Sequence, residues 1–148
     1  LVMSEAANGG KKYRPYLVKD IIAPDGTVIK HFDPVVERDL NIDPSVISLV
    51  QEGLHEVSTV GTAAAMFKDF PVPIAGKTGT AENSHGREHG WFVAYGPFDN
   101  PNIAVAVIVE NAGYGATSAV PIGYKILSAA FGLDKPKTPE NQPAPAQQ

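Results

Sequence analysis

A chain of 148 residues has the length of one domain, and its 43% hydrophobic against 19% charged residues supplies enough apolar material for a core. The net charge of −4, with no basic stripe to neutralise phosphates, excludes a nucleic-acid binder, and the absence of cysteine excludes disulfides and thiol catalysis. No window of about eighteen apolar residues and no charged-then-apolar leader occurs, so these residues hold neither a membrane-spanning helix nor a signal peptide.

In chain order, residues 1–8 (LVMSEAAN) read as the last turns of a helix stopped by Gly9-Gly10, so the sequence is expected to open inside a domain. Tyr16–Ile22 and Thr27–Phe32 are short β-rich runs around Pro24-Asp25-Gly26, which predicts a hairpin. Residues 34–42 are expected to be extended and exposed. Asp43 and Pro44 then supply an N-cap and a first-turn proline, and Ile47, Val50, Leu54 and Val57 recur at the spacing of one helical face. That helix is expected to end near Ser58 and a second, short one to run from Gly61 to Phe67, before Pro71 and Pro73 break the chain.

Apolar runs at Ile74–Thr80, Trp91–Tyr95 and Ile103–Glu110 predict consecutive antiparallel strands, the last two joined by a turn at residues 97–101. Ile103–Val109 is apolar without interruption, which predicts a central strand covered on both faces. Val120, Tyr124, Leu127 and Phe131 line one face of a final helix over 117–131, expected to pack on the sheet. From Asp134 the composition shifts to Lys, Pro, Gln and Ala, and residues 134–148 are expected to form a disordered tail.

The chemistry concentrates in Ile74-Ala75-Gly76-Lys77-Thr78-Gly79-Thr80-Ala81-Glu82. Gly76 and Gly79 leave the strand bare of side chains, so a ligand backbone can approach closely and pair as an added strand. Lys77 contributes a compact positive charge, and Thr78 and Thr80 contribute hydroxyls that bind a carboxylate. These donors beside a glycine-opened edge make a site for an anionic, peptide-like ligand.

The same stretch matches the K-T-G box of the penicillin-recognising enzymes, which also carry S-x-x-K and S-x-N boxes. It is followed by His89-Gly90-Trp91-Phe92-Val93-Ala94-Tyr95-Gly96-Pro97 and then by residues 100–113 (NPNIAVAVIVENAG). In that order the segments resemble the C-terminal half of the transpeptidase domain of a class B penicillin-binding protein, of the elongation type (penicillin-binding protein 2), over about residues 6–132. The resemblance implies an α/β (α+β) fold over residues 1–133, a partial penicillin-binding/β-lactamase-like transpeptidase domain with an antiparallel sheet and packed helices. It also implies an activity. In the family a serine attacks the penultimate D-Ala carbonyl of a peptidoglycan stem and releases D-Ala. The ester then passes to an amine of a neighbouring stem, which cross-links the wall during cell elongation.

By the same resemblance, Lys77 and Thr80 are the catalytic candidates. Lys77 would polarise the site and help proton movement through the serine of the S-x-N box, and the Thr80 N–H would donate to the oxyanion. Thr78, Gly79 and Thr80 would bind substrate: the hydroxyls hold the terminal carboxylate of the stem or of a β-lactam, and Gly79 keeps the edge open. The implied partners are the D-Ala-D-Ala stem peptide, β-lactams, the remainder of the transpeptidase domain and the glycosyltransferase machinery of cell elongation. An N-terminal membrane anchor is expected in the full-length protein, with the domain facing the periplasm or cell exterior. No cofactor, metal or nucleic acid is expected.

None of the serines (Ser4, Ser45, Ser48, Ser58, Ser84, Ser118, Ser128) has lysine three positions on or starts an S-x-N triplet, so this chain alone is expected not to form an acyl-enzyme. The apolar surface left bare by the missing boxes is expected to promote self-association. His85-Gly86-Arg87-Glu88-His89 fits the H-x-x-E-H zinc pattern, but its glycine and its run into Trp91-Phe92-Val93 read as a polar loop at the rim of the cleft. His89 and Trp91 are possible substrate contacts, with Trp91 read first as a packed core aromatic. Two other functions fit the edge strand. A D,D-carboxypeptidase or β-lactamase-related serine enzyme is opposed by the likeness over Trp91–Gly113. A non-catalytic peptidoglycan-binding module is separated by penicillin labelling, which it would not retain.

Overall fold

The computed structural model describes residues 1–134, so the expected tail lies outside the described residues from position 135 on. The first helix, α1, is Val2–Ala7, and Gly9 and Gly10 follow it with φ of +66° and +88°. A side chain is penalised in that region, so the paired glycines end the helix and turn the chain. The Gly10 N–H closes back on the Glu5 carbonyl at 2.8 Å.

An arm of short strands comes next: β1 (Lys11–Tyr13), β2 (Asp20–Ile22), β3 (Val28–His31) and β4 (Val36–Asp39). β2 and β3 form the expected antiparallel hairpin, with Gly26 at φ +89° and the Asp25 carboxylate accepting from the Thr27 N–H at 2.9 Å. Residues of β4 are extended and exposed, as expected, and they pair antiparallel with β1. β1 is too short to carry a periodicity of its own.

Helix α2 spans Pro44–Thr59, and the Asp43 side chain caps it by accepting from the Ser45 N–H at 2.8 Å. Its apolar stripe is unevenly buried. Leu54 and Val57 pack against core residues, whereas Val50 is exposed. The N-terminal half of α2 meets α1, where Gln51 Nε2 donates to the Ala6 carbonyl at 2.7 Å. Helix α3 (Ala64–Phe67) is shorter than expected because residues 61–63 form a turn folded back onto α2, with the Ala63 N–H on the Val57 carbonyl at 2.9 Å.

The core sheet contains β5 (Ala75–Ala81), β6 (His89–Gly96) and β7 (Ile103–Val109), all antiparallel in the order β5-β6-β7. Helix α4 (Gly115–Ala130) lies across one face. Phe92, Ala94 and Val107 of the sheet meet Ala119, Val120 and Leu127 of α4, and Phe67 of α3 stacks on Phe92 with ring centroids 5.6 Å apart. On the opposite face Met3 of α1 packs with Ala75 and Tyr95, flanked by Leu54 and Val93.

Among the described residues β6 lies between β5 and β7, so the sheet they form does not place Ile103–Val109 at its centre, in contrast to the expectation. Alternate β7 residues (Ile103, Val105, Val107, Val109) pack towards α4, while Ala104, Ala106 and Ile108 are exposed. A helix covers one face only. Among the described residues the other face is left open, and Ala104 and Ala106 border an apolar hollow there.

Candidate functional site

The motif strand is fixed at both ends by its neighbours. At its start the Ile74 carbonyl accepts from His55 Nδ1 at 2.6 Å and lies 2.8 Å from Ser58 Oγ, both side chains of α2. Ser58 is buried, and its hydroxyl also lies 2.7 Å from the His55 carbonyl, so a polar group inside the core has its acceptors. The His55 ring stacks on Phe98 at 4.5 Å, which holds the imidazole edge-on to Ile74. Further along, the start of α4 presses on the backbone of the motif. A Cβ added at Gly115 would lie 2.2 Å from the Trp91 carbonyl oxygen and 2.4 Å from that of Gly79. Only glycine permits that approach.

β5 is an edge strand, so its outer side has no strand partner among the described residues. Lys77 pairs with Val93 and Gly79 with Trp91 across the β5–β6 ladder, on the face that carries α1. The exposed Lys77 ammonium donates to the Thr78 carbonyl at 2.6 Å, which leaves two of its protons free. Lys77, Trp91, Val93, Met3, Val50 and Leu54 border an open, mainly apolar hollow of about 620 Å³. Trp91 is 36% exposed, which corrects its reading as a packed core aromatic: it stands opposite a glycine on the face away from α4.

Thr78 and Thr80 alternate to the other face. Thr80 is exposed, and Thr78 Oγ1 lies 2.6 Å from Thr62 Oγ1 in the turn before α3. The predicted site residues thus share one edge but divide between its faces, with the cation on one side and the hydroxyls on the other. The glycines have a different reason from the one their sequence suggests. A Cβ at Gly76 would lie 2.9 Å from the Val93 carbonyl oxygen, and one at Gly79 would lie 3.2 Å from Trp91 Cβ. Both keep room for packing over the sheet face as well as access to its edge.

Residues 82–88 form the expected loop between β5 and β6, so His85 and His89 do not share a helical face. His89 opens β6, and its Nδ1 accepts from the Asn111 N–H at 3.0 Å. The loop is clasped to the connection before α4. Asn83 Nδ2 donates to Asn111 Oδ1 at 2.7 Å, and the Gly113 N–H donates to the Glu88 carbonyl at 2.9 Å. This clasp walls the far end of the motif strand.

Thr62, His55 and Ser58 bear directly on the motif and were not singled out by sequence reasoning. Ser58 carried a faint signal, a polar residue beside the apolar Val57 near the end of a helix. Thr62 carried none, because its partner is sixteen residues away and is met only through tertiary folding.

The chain belongs to the penicillin-binding protein transpeptidase family: residues 2–128 match the family described as penicillin binding protein transpeptidase domain. It is 34% identical to the peptidoglycan D,D-transpeptidase MrdA of Haemophilus influenzae over 95% of this chain and 24% of that protein. Among solved structures, penicillin-binding protein A of M. tuberculosis as a ceftriaxone acyl-enzyme complex superposes with a TM-score of 0.77 at 34% identity, covering 88% of this chain and 31% of that one. A structure described as a peptidoglycan synthase complex that coordinates polymerization and crosslinking gives a TM-score of 0.74 at 36% identity, covering 93% of this chain and 23% of that one. The chain spans about a quarter of the length of the curated relatives it matches.

Proposed function

We propose that the full-length protein carrying this chain is a peptidoglycan D,D-transpeptidase of the elongation type, and that this chain supplies the K-T-G strand of its active site. The observation that carries the reading is the unpaired edge of β5. Among the described residues it has no strand partner, and it presents Lys77 over an open hollow that Trp91 also borders, with the Thr78 and Thr80 side chains on the opposite face of the same strand. An extended peptide can add to such an edge by backbone pairing, and the lysine and threonines suit its terminal carboxylate.

In this reading a serine outside the chain attacks the penultimate D-Ala carbonyl, passing its proton to the lysine of its own box. The Thr80 N–H and the nucleophile's own N–H stabilise the oxyanion, and the Lys77 ammonium stabilises the charge that grows there. The C–N bond breaks as the D-Ala amine takes up the proton. An amine of a second stem then attacks the ester and returns the serine. Thr78 and Thr80 hold the carboxylate, and a β-lactam occupies the same place. The apolar hollow beside α1 is where the nucleophile-bearing part of the domain would pack. Partnership with a glycosyltransferase belongs to the same proposal, supported by the likeness to a peptidoglycan synthase complex that coordinates polymerization and crosslinking, and the expected membrane anchor of the full-length protein completes it.

Second-order penicillin acylation of the full-length protein tests the reading. Lys77→Ala is expected to slow it by about a hundredfold or more with the melting temperature unchanged, the usual cost of one preorganised charge-stabilising group. Lys77→Arg restores the rate only in part, because its forked guanidinium is larger than the compact ammonium. Thr80→Val costs less than Lys77→Ala, since it removes a hydroxyl and keeps the N–H. The isolated chain takes up no penicillin covalently. Acylation of Lys77→Ala at the parent rate would remove Lys77 from the chemistry, and a full-length protein that leaves no adduct would be the binding module instead.

A further inference from the structure

We propose that Thr62 is a positioning residue for carboxylate recognition, acting through Thr78. The inference rests on the reading of Thr78 as a carboxylate ligand and extends it to a residue that touches no ligand. Thr62 Oγ1 and Thr78 Oγ1 are 2.6 Å apart, a full hydroxyl–hydroxyl hydrogen bond between an exposed residue of the turn before α3 and a half-buried residue of β5.

The turn that carries Thr62 is held on both sides. The Val60 and Gly61 N–H groups close on the Glu56 carbonyl at 2.9 and 2.8 Å, and the Ala63 N–H closes on the Val57 carbonyl at 2.9 Å. Ala63 itself is buried. A Cβ at Gly61 would lie 2.8 Å from Val57 Cα, so the turn lies flat on the end of α2. Thr62 is therefore delivered from a fixed backbone, and its hydroxyl can hold the χ1 angle of Thr78.

The chemistry of the ligand sets the direction of the bond. An ionised carboxylate only accepts hydrogen bonds, and a threonine hydroxyl has one proton. Once Thr78 donates that proton to the carboxylate, its oxygen is free to accept from Thr62. The chain then runs Thr62 to Thr78 to carboxylate, and each bond polarises the next. Without Thr62 the Thr78 hydroxyl loses both its rotamer anchor and this polarisation. A neutral ester in place of the carboxylate is a poorer acceptor and gains less from the chain.

The experiment measures acylation of the full-length protein by a penicillin and by its methyl ester, in the parent, Thr62→Val, Thr62→Ser, Thr78→Val and the double variant Thr62→Val/Thr78→Val. Thr62→Val is expected to slow acylation by the free acid about fivefold, the scale of one hydrogen bond to a charged ligand's partner, and to slow the ester less. The acid-to-ester ratio therefore falls, and it is independent of how much of the variant is folded. Thr62→Ser keeps the parent ratio. In the Thr78→Val background Thr62→Val has no further effect on the ratio, because the two residues act as one unit. An unchanged ratio in Thr62→Val, or equal effects of Thr62→Val with and without Thr78, would overturn the inference while leaving the transpeptidase reading intact. A parent protein that is not acylated at all would overturn both.

Discussion

Residues 16–32 and residues 91–109 are both built from short apolar β-runs, and they meet opposite environments. In the first, Leu17 and Ile29 stand in solvent at 103% and 67% exposure; in the second, Phe92 and Tyr95 are completely buried. The hairpin of β2 and β3 is a two-stranded ribbon, whereas β5, β6 and β7 carry α4 across one face and α1 with the end of α2 on the other. A β-run buries its side chains only where a second layer covers it, and a lone hairpin has none. The comparison also assigns labour. The layered half holds the motif strand to within the tolerance of a hydrogen bond, while the arm contributes nothing to that geometry.

The largest test of this contrast is made at the tightest point of the layered half. Gly115→Ala in the full-length protein sets a methyl against two backbone carbonyls, neither of which can swing away. Overpacking of this kind costs about 1–3 kcal/mol, more than the gain of up to about 1 kcal/mol from replacing a helical glycine. A lower melting temperature together with slower penicillin acylation is expected, since the displaced backbone is that of Gly79 and Trp91. An unchanged melting temperature would show that α4 sits less tightly than described.

A smaller effect sharpens the same contrast from inside the core. The Tyr95 hydroxyl is buried and has no hydrogen-bond partner among the described residues, and burial raises its pKa above the ordinary tyrosine value. Tyr95→Phe is expected to leave the stability at neutral pH unchanged or slightly higher, because an unsatisfied polar group is removed. The pH dependence has a definite sign. A group whose folded pKa is raised contributes stability below its unfolded pKa, about 10 for tyrosine, and loses it as pH rises through the folded value. Melting curves of Tyr95→Phe should therefore fall less steeply above about pH 10 than those of the parent. A marked loss of stability at neutral pH would reveal a partner for the hydroxyl.

The smallest effect belongs to the arm. Leu17→Ser with Ile29→Ser is expected to change the stability of the full-length protein by no more than about 0.5 kcal/mol, as for ordinary surface positions. A loss several times larger, read from thermal or denaturant melting, would break the comparison by showing that another part of the protein covers the hairpin.

The layered half was the more legible in the sequence because its signals are local. The runs at Ile74–Thr80, Trp91–Tyr95 and Ile103–Glu110 and the stripe at Val120, Tyr124 and Leu127 report period and polarity, and those set element type. Rank within the sheet is not local. Nothing in Ile103–Val109 itself tells an edge strand with small residues on its open face from a central one. The stripe on α2 likewise reports period alone, and nothing in it tells that Leu54 and Val57 pack on the core while Val50 borders the hollow. At the site, the lysine and threonines stood out by residue type. Thr62, His55 and Ser58 did not, since their value lies in partners sixteen to nineteen residues away.

The double hold on the Ile74 carbonyl has a consequence for handedness as well as position. A strand has a period of two, so a slip of β5 by one residue against β6 would turn every side chain over. Lys77 would then point under α4, into a layer of apolar residues, and Thr78 would enter the hollow. Such a slip would also carry the Ile74 carbonyl away from both His55 and Ser58, which reach the strand from a separate element. Two polar residues of α2 therefore set the phase of the motif strand, and with it the side of the sheet on which its cation emerges.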